Sequence, residues 1–305
     1  MQLFVQRTFS QKFNVVFDWI RHNWRPLLKF VTLFLLPVSL VQPLGVVSLL
    51  GRVTAVSSTA GSDHLLDALG VGNVVLFAVS LLLALLGTLL AQSLFFGMVR
   101  ATLVEGCELN DYSSLQMWRA LRARFGRVCV LTLLGGAVAL VSVGMLCFLL
   151  AQTHDVVGYW AGGALLLSML AGVFVLIPIW PAYLLTDDTL FKAVGRGIRL
   201  GWHTWWGVAS TSLVMGILAS ALQGFGSAPF QLFVMLQPSL AGSVSGMEEA
   251  IILFLNYLSG VLMCFVQFLT SALGILMLSV QFGHAADKVE ALRLEQEIDD
   301  FDKEL

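Results

Sequence analysis

The side chains best placed to do chemistry in this sequence are amides in otherwise apolar stretches: Gln42, Asn73, Gln92, Gln152, Gln223, Asn256, Gln267 and Gln281. No Asp, Glu, Lys or Arg lies deep in those stretches, so the intramembrane carboxylate of a proton-coupled pump has no candidate. Amides hydrogen-bond between helices or line a polar path. Asn256 and Gln267 are separated by about three helical turns, which puts them on one face of a helix. Outside the apolar stretches, Asp187-Asp188-Thr189 precedes an amphipathic segment, where carboxylates complement a helix N-terminus. A metal would need further ligands, and none is close in sequence. Cys107, Cys129, Cys147 and Cys264 share no C-x-x-C spacing, and three of them lie in apolar runs, so buried, unpaired thiols are expected. There is no P-loop, no G-x-S-x-G, no H-E-x-x-H and none of the spaced aspartates of alcohol phosphotransferases. The sequence therefore offers no catalytic residue, no metal site, no cofactor and no nucleic-acid partner.

The elements that must position these residues follow from composition. Of 305 residues, 58% are hydrophobic and 12% charged, against about 25% charged in soluble domains. So apolar a chain needs lipid as part of its solvent. Stretches without charge predict an all-α membrane protein with six spans at about residues 30–51, 72–99, 128–153, 157–185, 205–223 and 250–282. Each is near the roughly 20 residues needed to cross the hydrocarbon, and helices are required because lipid cannot satisfy an exposed backbone. The charged segment before Lys29 has no apolar core of the signal-peptide kind, so the first span is read as retained. The Gly-, Ser- and Pro-rich stretch 224–246 is expected to be an external segment holding a short surface or re-entrant helix. Pro37 and Pro43 in the first span, and Pro178 and Pro181 near the inner end of the fourth, mark kinks or breaks. Residues 1–283 form the spanning domain.

Orientation follows from Lys and Arg in the loops. With both termini cytoplasmic, all but one of the 17 basic residues lie inside, the exception being Arg52. The external loops then carry Asp63, Asp67, Asp155, Glu248 and Glu249. The expected location is an inner membrane.

Three segments before the odd-numbered spans look alike: Ile20-Arg21-His22-Asn23-Trp24, Leu121-Arg122-Ala123-Arg124-Phe125 and Ile198-Arg199-Leu200-Gly201-Trp202. Each belongs to an amphipathic stretch. In the third, Phe191, Val194, Ile198, Trp202 and Trp205 run beside Lys192, Arg196, Arg199 and His203. In the first, Lys12, Arg21 and Arg25 form the basic stripe. Such helices lie in the interface with basic groups toward lipid headgroups, which makes Arg21, Arg122 and Arg199, with Trp24, Phe125 and Trp202, the headgroup candidates. Asn256 and Gln267 are the intramembrane candidates. The architecture is then three parallel units of interfacial helix plus hairpin, or a coincidence that any basic membrane boundary would produce.

The stretch Asp187 to Trp206 and the opening Phe13 to Pro26, with Pro37 in the first span, resemble bacterial six-helix membrane proteins similar to the membrane domain attached to some glycerophosphodiester phosphodiesterases. The resemblance implies a six-helix membrane fold and, with no soluble segment long enough for the catalytic domain, no enzymatic activity.

The last segment, 284–305, holds eight acids and three bases. Ala291, Leu294, Ile298, Phe301 and Leu305 form an apolar seam, so an acidic cytoplasmic helix extending the last span is expected. It would fold on the chain's own basic helices or dock a protein partner. Membrane lipids are the other expected partner. The reading favoured is a non-catalytic scaffold or assembly subunit of a membrane complex. The alternative is a channel or transporter for a lipid-like or small amphipathic substrate.

Overall fold

The computed structural model describes residues 3–47, 71–152, 156–240 and 247–290. Its helices include α1 (Phe9–Val41), α2 (Val71–Val99), α3 (Ser114–Gln152), α4 (Val156–Leu176), α5 (Ile179–Leu185), α6 (Leu190–His203), α7 (Trp205–Leu240) and α8 (Met247–Glu290). A π-helical turn, Arg100–Val104, follows α2, and a short 3-10 turn spans Leu109–Asp111. No strand occurs among the described residues. Six helices are long and apolar enough to cross a membrane, and the chain is a multi-pass helical membrane protein. About half of the apolar stretch is buried in the first and last of these (44% and 50%), against 11% to 18% in the four between. The middle spans therefore present most of their apolar surface outward.

The described residues fall into two compact units. One draws on Met1–Trp24, Gln92–Met215 and Gly274–Leu305, the other on Arg25–Ala91 and Gly216–Leu273. In the first, α6 packs across α4 and α5 with a face of small residues, Ala193, Gly197 and Gly201, beside Leu200. A Cβ at Gly197 would come within 2.6 Å of the Ile179 Cγ1, and one at Gly201 would overlap the Val175 carbonyl. Glycine is needed here for close approach of two backbones. Trp205 ends this packing by donating from Nε1 to the Ala171 carbonyl at 3.1 Å. The N-terminal segment is held in the same unit, with Leu3 2% exposed and Phe4 edge-on to Phe282 at 6.4 Å. Trp19 donates to Thr102 of the π-turn at 2.8 Å. In the second unit, Gly87 lets Phe268 and Val38 meet α2, and the Tyr257 hydroxyl donates to the Leu40 carbonyl at 2.6 Å.

Several expectations change. The segments before spans 1 and 3 are not separate helices, because α1 and α3 run through them unbroken. Pro26 and Pro37 both sit inside α1. Only the third segment is a helix of its own, ended at Thr204, whose backbone leaves the helical region at φ −118° and ψ 24°. Stretch 224–246 is helical through Leu240, as part of the 36-residue α7. Gly, Ser and Pro break helices in water, but in an apolar setting an unpaired backbone costs more than poor propensity, and the helix continues. Ser227 turns its hydroxyl back to the Gly224 carbonyl at 3.2 Å instead of initiating a turn. The break at Pro178 is real and separates α4 from α5. α8 runs on past residue 283 to Glu290, as expected of a helix that extends the last span, and Ala285 and Ala286 are fully buried. The apolar seam of 291–305, the basic residues Arg52, Arg293 and Lys303, and the acids Asp63, Asp67 and Asp155 lie outside the described residues. The cysteines are all unpaired, but only Cys264 is buried, and Cys107 and Cys147 are exposed.

Replacing Gly201 by Leu should destabilise the protein by about 1–3 kcal/mol, the usual cost of overpacking, and lower its thermal midpoint in detergent. Gly195 on the same helix has open space around it, so Gly195→Ala should leave the midpoint unchanged or raised. Equal midpoints for the two variants would contradict the close packing of α6.

Candidate functional site

A set of charged residues of the first unit converges on the connector between α5 and α6. Asp187 receives a two-pronged bond from Arg100, Nη1 to Oδ1 at 2.8 Å and Nη2 to Oδ2 at 3.0 Å. Arg100 sits in the π-turn and also holds Glu105 at 3.0 Å. Arg127 of α3 donates to the Tyr183 and Thr186 carbonyls at 3.3 and 3.2 Å. These carbonyls belong to the end of α5, so the guanidinium satisfies groups that the helix leaves unpaired. Its charge also lies over the Tyr183 ring, 5.3 Å from the centroid.

Asp188 faces the other way. Its Oδ1 accepts from Lys192 at 2.8 Å, and its Oδ2 accepts from Arg196 at 3.1 Å and from the Thr186 hydroxyl at 3.1 Å. Arg196 then reaches Glu290 at the end of α8 through Nε and Nη2, with distances down to 2.5 Å, and Arg199 reaches the same carboxylate at 2.5 Å. The Arg196, Asp188 and Glu290 side chains are only 16%, 12% and 12% exposed. Bidentate guanidinium–carboxylate pairs with this little water are stronger than surface ion pairs. Arg196 also stacks over Phe282 at 5.7 Å. Asp188, Phe191, Lys192, Gly195, Arg196, Arg199 and Glu290 line an open pocket of about 500 Å³.

The aspartates are therefore ion-pair partners and not caps: Thr189 occupies the N-cap of α6 and makes no side-chain capping bond. The hydrogen bond from Arg100 holds the Asp187 carboxyl below its ordinary value. Lys192 does the same for Asp188 against the opposing effect of burial, with Thr186 and Arg196 adding to it.

The headgroup candidates lie on three helices. Arg21 and Trp24 on α1 and Arg122 on α3 are exposed, and Phe125 is half-buried. Trp202 on α6 is 73% exposed. Of Arg21, Arg122 and Arg199, only Arg199 lines the pocket. The intramembrane pair does not form one polar surface: Asn256 is 3% exposed whereas Gln267 faces outward. Three turns of equal spacing meet different neighbours along one helix, and pattern alone does not distinguish them. Asn256 Oδ1 is buried and has no hydrogen-bond partner among the described residues. Lys12, expected in a solvated basic stripe, is 4% exposed and donates to Gln281 at 2.7 Å. Sequence reasoning missed Arg100, Arg127 and Glu290 as members of one cluster. The only signal was the adjacency of Asp187-Asp188 to a basic helix and the acidity of the segment after span six. Among the described residues no group of His, Cys, Asp and Glu is arranged to hold a metal.

The fold and this cluster define a helical multi-pass membrane protein with an ion-paired polar patch beside α6. No protein-family model matches the chain, and neither a curated protein nor a solved structure matches it.

The depressed Asp187 and Asp188 values fix the sign of a pH effect. Such carboxylates stabilise the fold above the ordinary aspartate value of about 3.9 and lose that contribution as pH falls through the lower folded value. The thermal midpoint of Asp188→Asn should lie below that of the wild type at neutral pH, and the gap should close on acidification below about pH 4. A gap that widened instead would show that the carboxylate charge is not what holds the connector.

Proposed function

We propose that the chain is a non-catalytic inner-membrane protein of bacterial type, a scaffold or assembly subunit of a membrane complex, with both termini in the cytoplasm. The observation that carries this reading is the surface of α7 in the second unit. Gly216, Ser220, Gly224 and Ala228 lie four residues apart and are all exposed, and none of the described residues comes within 4 Å of where a Cβ would stand on Gly216 or Gly224. Ile217 and Phe225 flank them at 63% and 80% exposure. A small-residue row with apolar flanks is the surface on which a second membrane helix packs closely. The largely unburied middle spans add to it.

The cytoplasmic orientation draws on charge. Among the described residues the second unit has only Arg25 and Lys29 as Lys or Arg, and the rest of the described basic residues belong to the unit that holds the termini. Positive charge collects on the cytoplasmic side. In this orientation α6 is an interfacial helix: its small face is packed, while Phe191 and Trp202 project outward at 89% and 73% exposure beside Lys192 and Arg199. The matching segments of α1 and α3 enter the membrane as the first turns of spanning helices, so a threefold repeat would be one of membrane-entry motifs. The likeness to the membrane domain attached to glycerophosphodiester phosphodiesterases belongs to the same proposal, without their catalysis.

The alternative, a channel or transporter for a lipid-like or small amphipathic substrate, is favoured by the buried amide oxygens of Gln42, Gln92 and Asn256, which have no partner among the described residues.

Gly216→Leu with Gly224→Leu should abolish co-purification of a membrane partner or second copy in native mass spectrometry, while the chain still inserts. Unchanged assembly would remove the scaffold reading. Loss of solute uptake on Asn256→Leu, with assembly intact, would establish the alternative. A fluorescent protein fused after Leu305 should fluoresce and alkaline phosphatase fused there should stay inactive; the opposite pattern would reverse the orientation.

A further inference from the structure

We propose that the pocket on α6 binds the phosphate of an anionic phospholipid through Lys192 and Arg199, and that Glu290 competes with that phosphate for Arg199. The inference rests on the interfacial placement of α6 given above. It comes from a count of what the pocket's polar groups still have to offer. Both carboxylates are engaged by several donors. Asp188 accepts from Lys192, Arg196 and Thr186. Glu290 Oε1 accepts from Arg196 and Arg199, and Oε2 accepts twice from Arg196. The donors are not saturated. An ammonium has three N–H groups and a guanidinium five. Lys192 directs one at Asp188 and Arg199 directs one at Glu290, and the two side chains are 74% and 56% exposed. Among the described residues, three cationic side chains against two carboxylates leave the pocket lining one positive charge in excess. A phosphodiester carries one negative charge and only acceptor oxygens, so it matches what is left.

The surroundings point to a lipid as the source of that phosphate. Phe191 lines the same pocket and is 89% exposed. Ile198 and Trp202 continue its face at 40% and 73% exposure. An apolar rim of this kind belongs against glycerol and acyl chains, and aromatic side chains settle at that depth. The pocket's 500 Å³ lies within the range of small-molecule sites. Glu290 makes the site responsive. It ends the described part of α8 and bonds to both Arg196 and Arg199, so a phosphate that takes Arg199 loosens one of the bonds holding the end of α8. Arg196 keeps the remaining two-pronged contact.

The test uses the full chain in nanodiscs of phosphatidylcholine with a minor fraction of phosphatidylglycerol, extracted mildly and read by native mass spectrometry. The wild type should retain phosphatidylglycerol in preference to phosphatidylcholine. The enrichment should fall about tenfold in Lys192→Gln/Arg199→Gln, as expected for lost charge-assisted bonds, and persist in the charge-keeping Lys192→Arg/Arg199→Lys. Glu290→Gln should raise it. Wild-type enrichment in the Gln variant, or equal loss in the charge-keeping variant, would overturn the proposal. So would binding of inorganic phosphate to the delipidated protein without lipid enrichment, since the site would then take free phosphate. Quenching of Trp202 by brominated lipid, read as the difference from Trp202→Phe, tests the placement separately. Enrichment without quenching would keep the pocket and remove the interfacial placement; quenching without enrichment would do the reverse.

Discussion

The bond network of Arg196 is the interaction on which the polar cluster of the first unit depends. A guanidinium this far removed from water is stable only with carboxylates on it, and Arg196 has two, drawn from the α5–α6 connector and from the end of the last helix. Its planar fork binds in fixed geometry, which matches one rotation of α6 about its own axis. That rotation sends Ala193, Gly197 and Gly201 inward and Phe191 and Trp202 outward. Removing either carboxylate would leave the other to neutralise a buried cation alone.

The glycines of α6 are the apolar counterpart of that network. They bring the α6 backbone against Val175 and Ile179, on the same helix from which Arg196 reaches Glu290 and Phe282. One helix therefore has three faces with separate duties: a small face for packing, a charged face for the connector and α8, and an aromatic face left free. The aromatic face with its two unsaturated cations is what makes the proposed phospholipid contact chemically reasonable. The α7 surface in the second unit has a different character. It has no charge and no unmet hydrogen bond on Gly216 or Gly224, only room, which suits a helix and not a polar ligand.

Asn256 and Glu290 illustrate how far sequence reading reached. Asn256 was legible as a polar residue in a span, since an amide in an apolar run stands out, but its burial and its missing partner depend on the helices beside it. Glu290 was legible only as one acid among eight near the C-terminus. Its pairing with Arg196 crosses 94 residues, and no local rule encodes a contact at that separation. The difference over 224–240 has another origin. Gly, Ser and Pro were read as separating the span from a short helix beyond it, whereas α7 runs through them unbroken to Leu240, as an apolar setting favours.

The sequence by itself determined the solvent and therefore the secondary structure. Uncharged runs of about 20 residues can be satisfied only by helices in lipid, and this needs no knowledge of neighbours. The sequence likewise carries no P-loop, G-x-S-x-G or H-E-x-x-H motif, and the distribution of Lys and Arg supplied an orientation to propose. What only the tertiary structure decided was partnership. It showed which aspartate serves which arginine, that Lys12 is buried on Gln281, that Gln267 points out while Asn256 points in, and that the last helix closes on α6. Each of these is set by the positions of residues on different helices, and helices in an apolar medium can satisfy their own backbones whatever their neighbours are. The local code is therefore silent about how they pack.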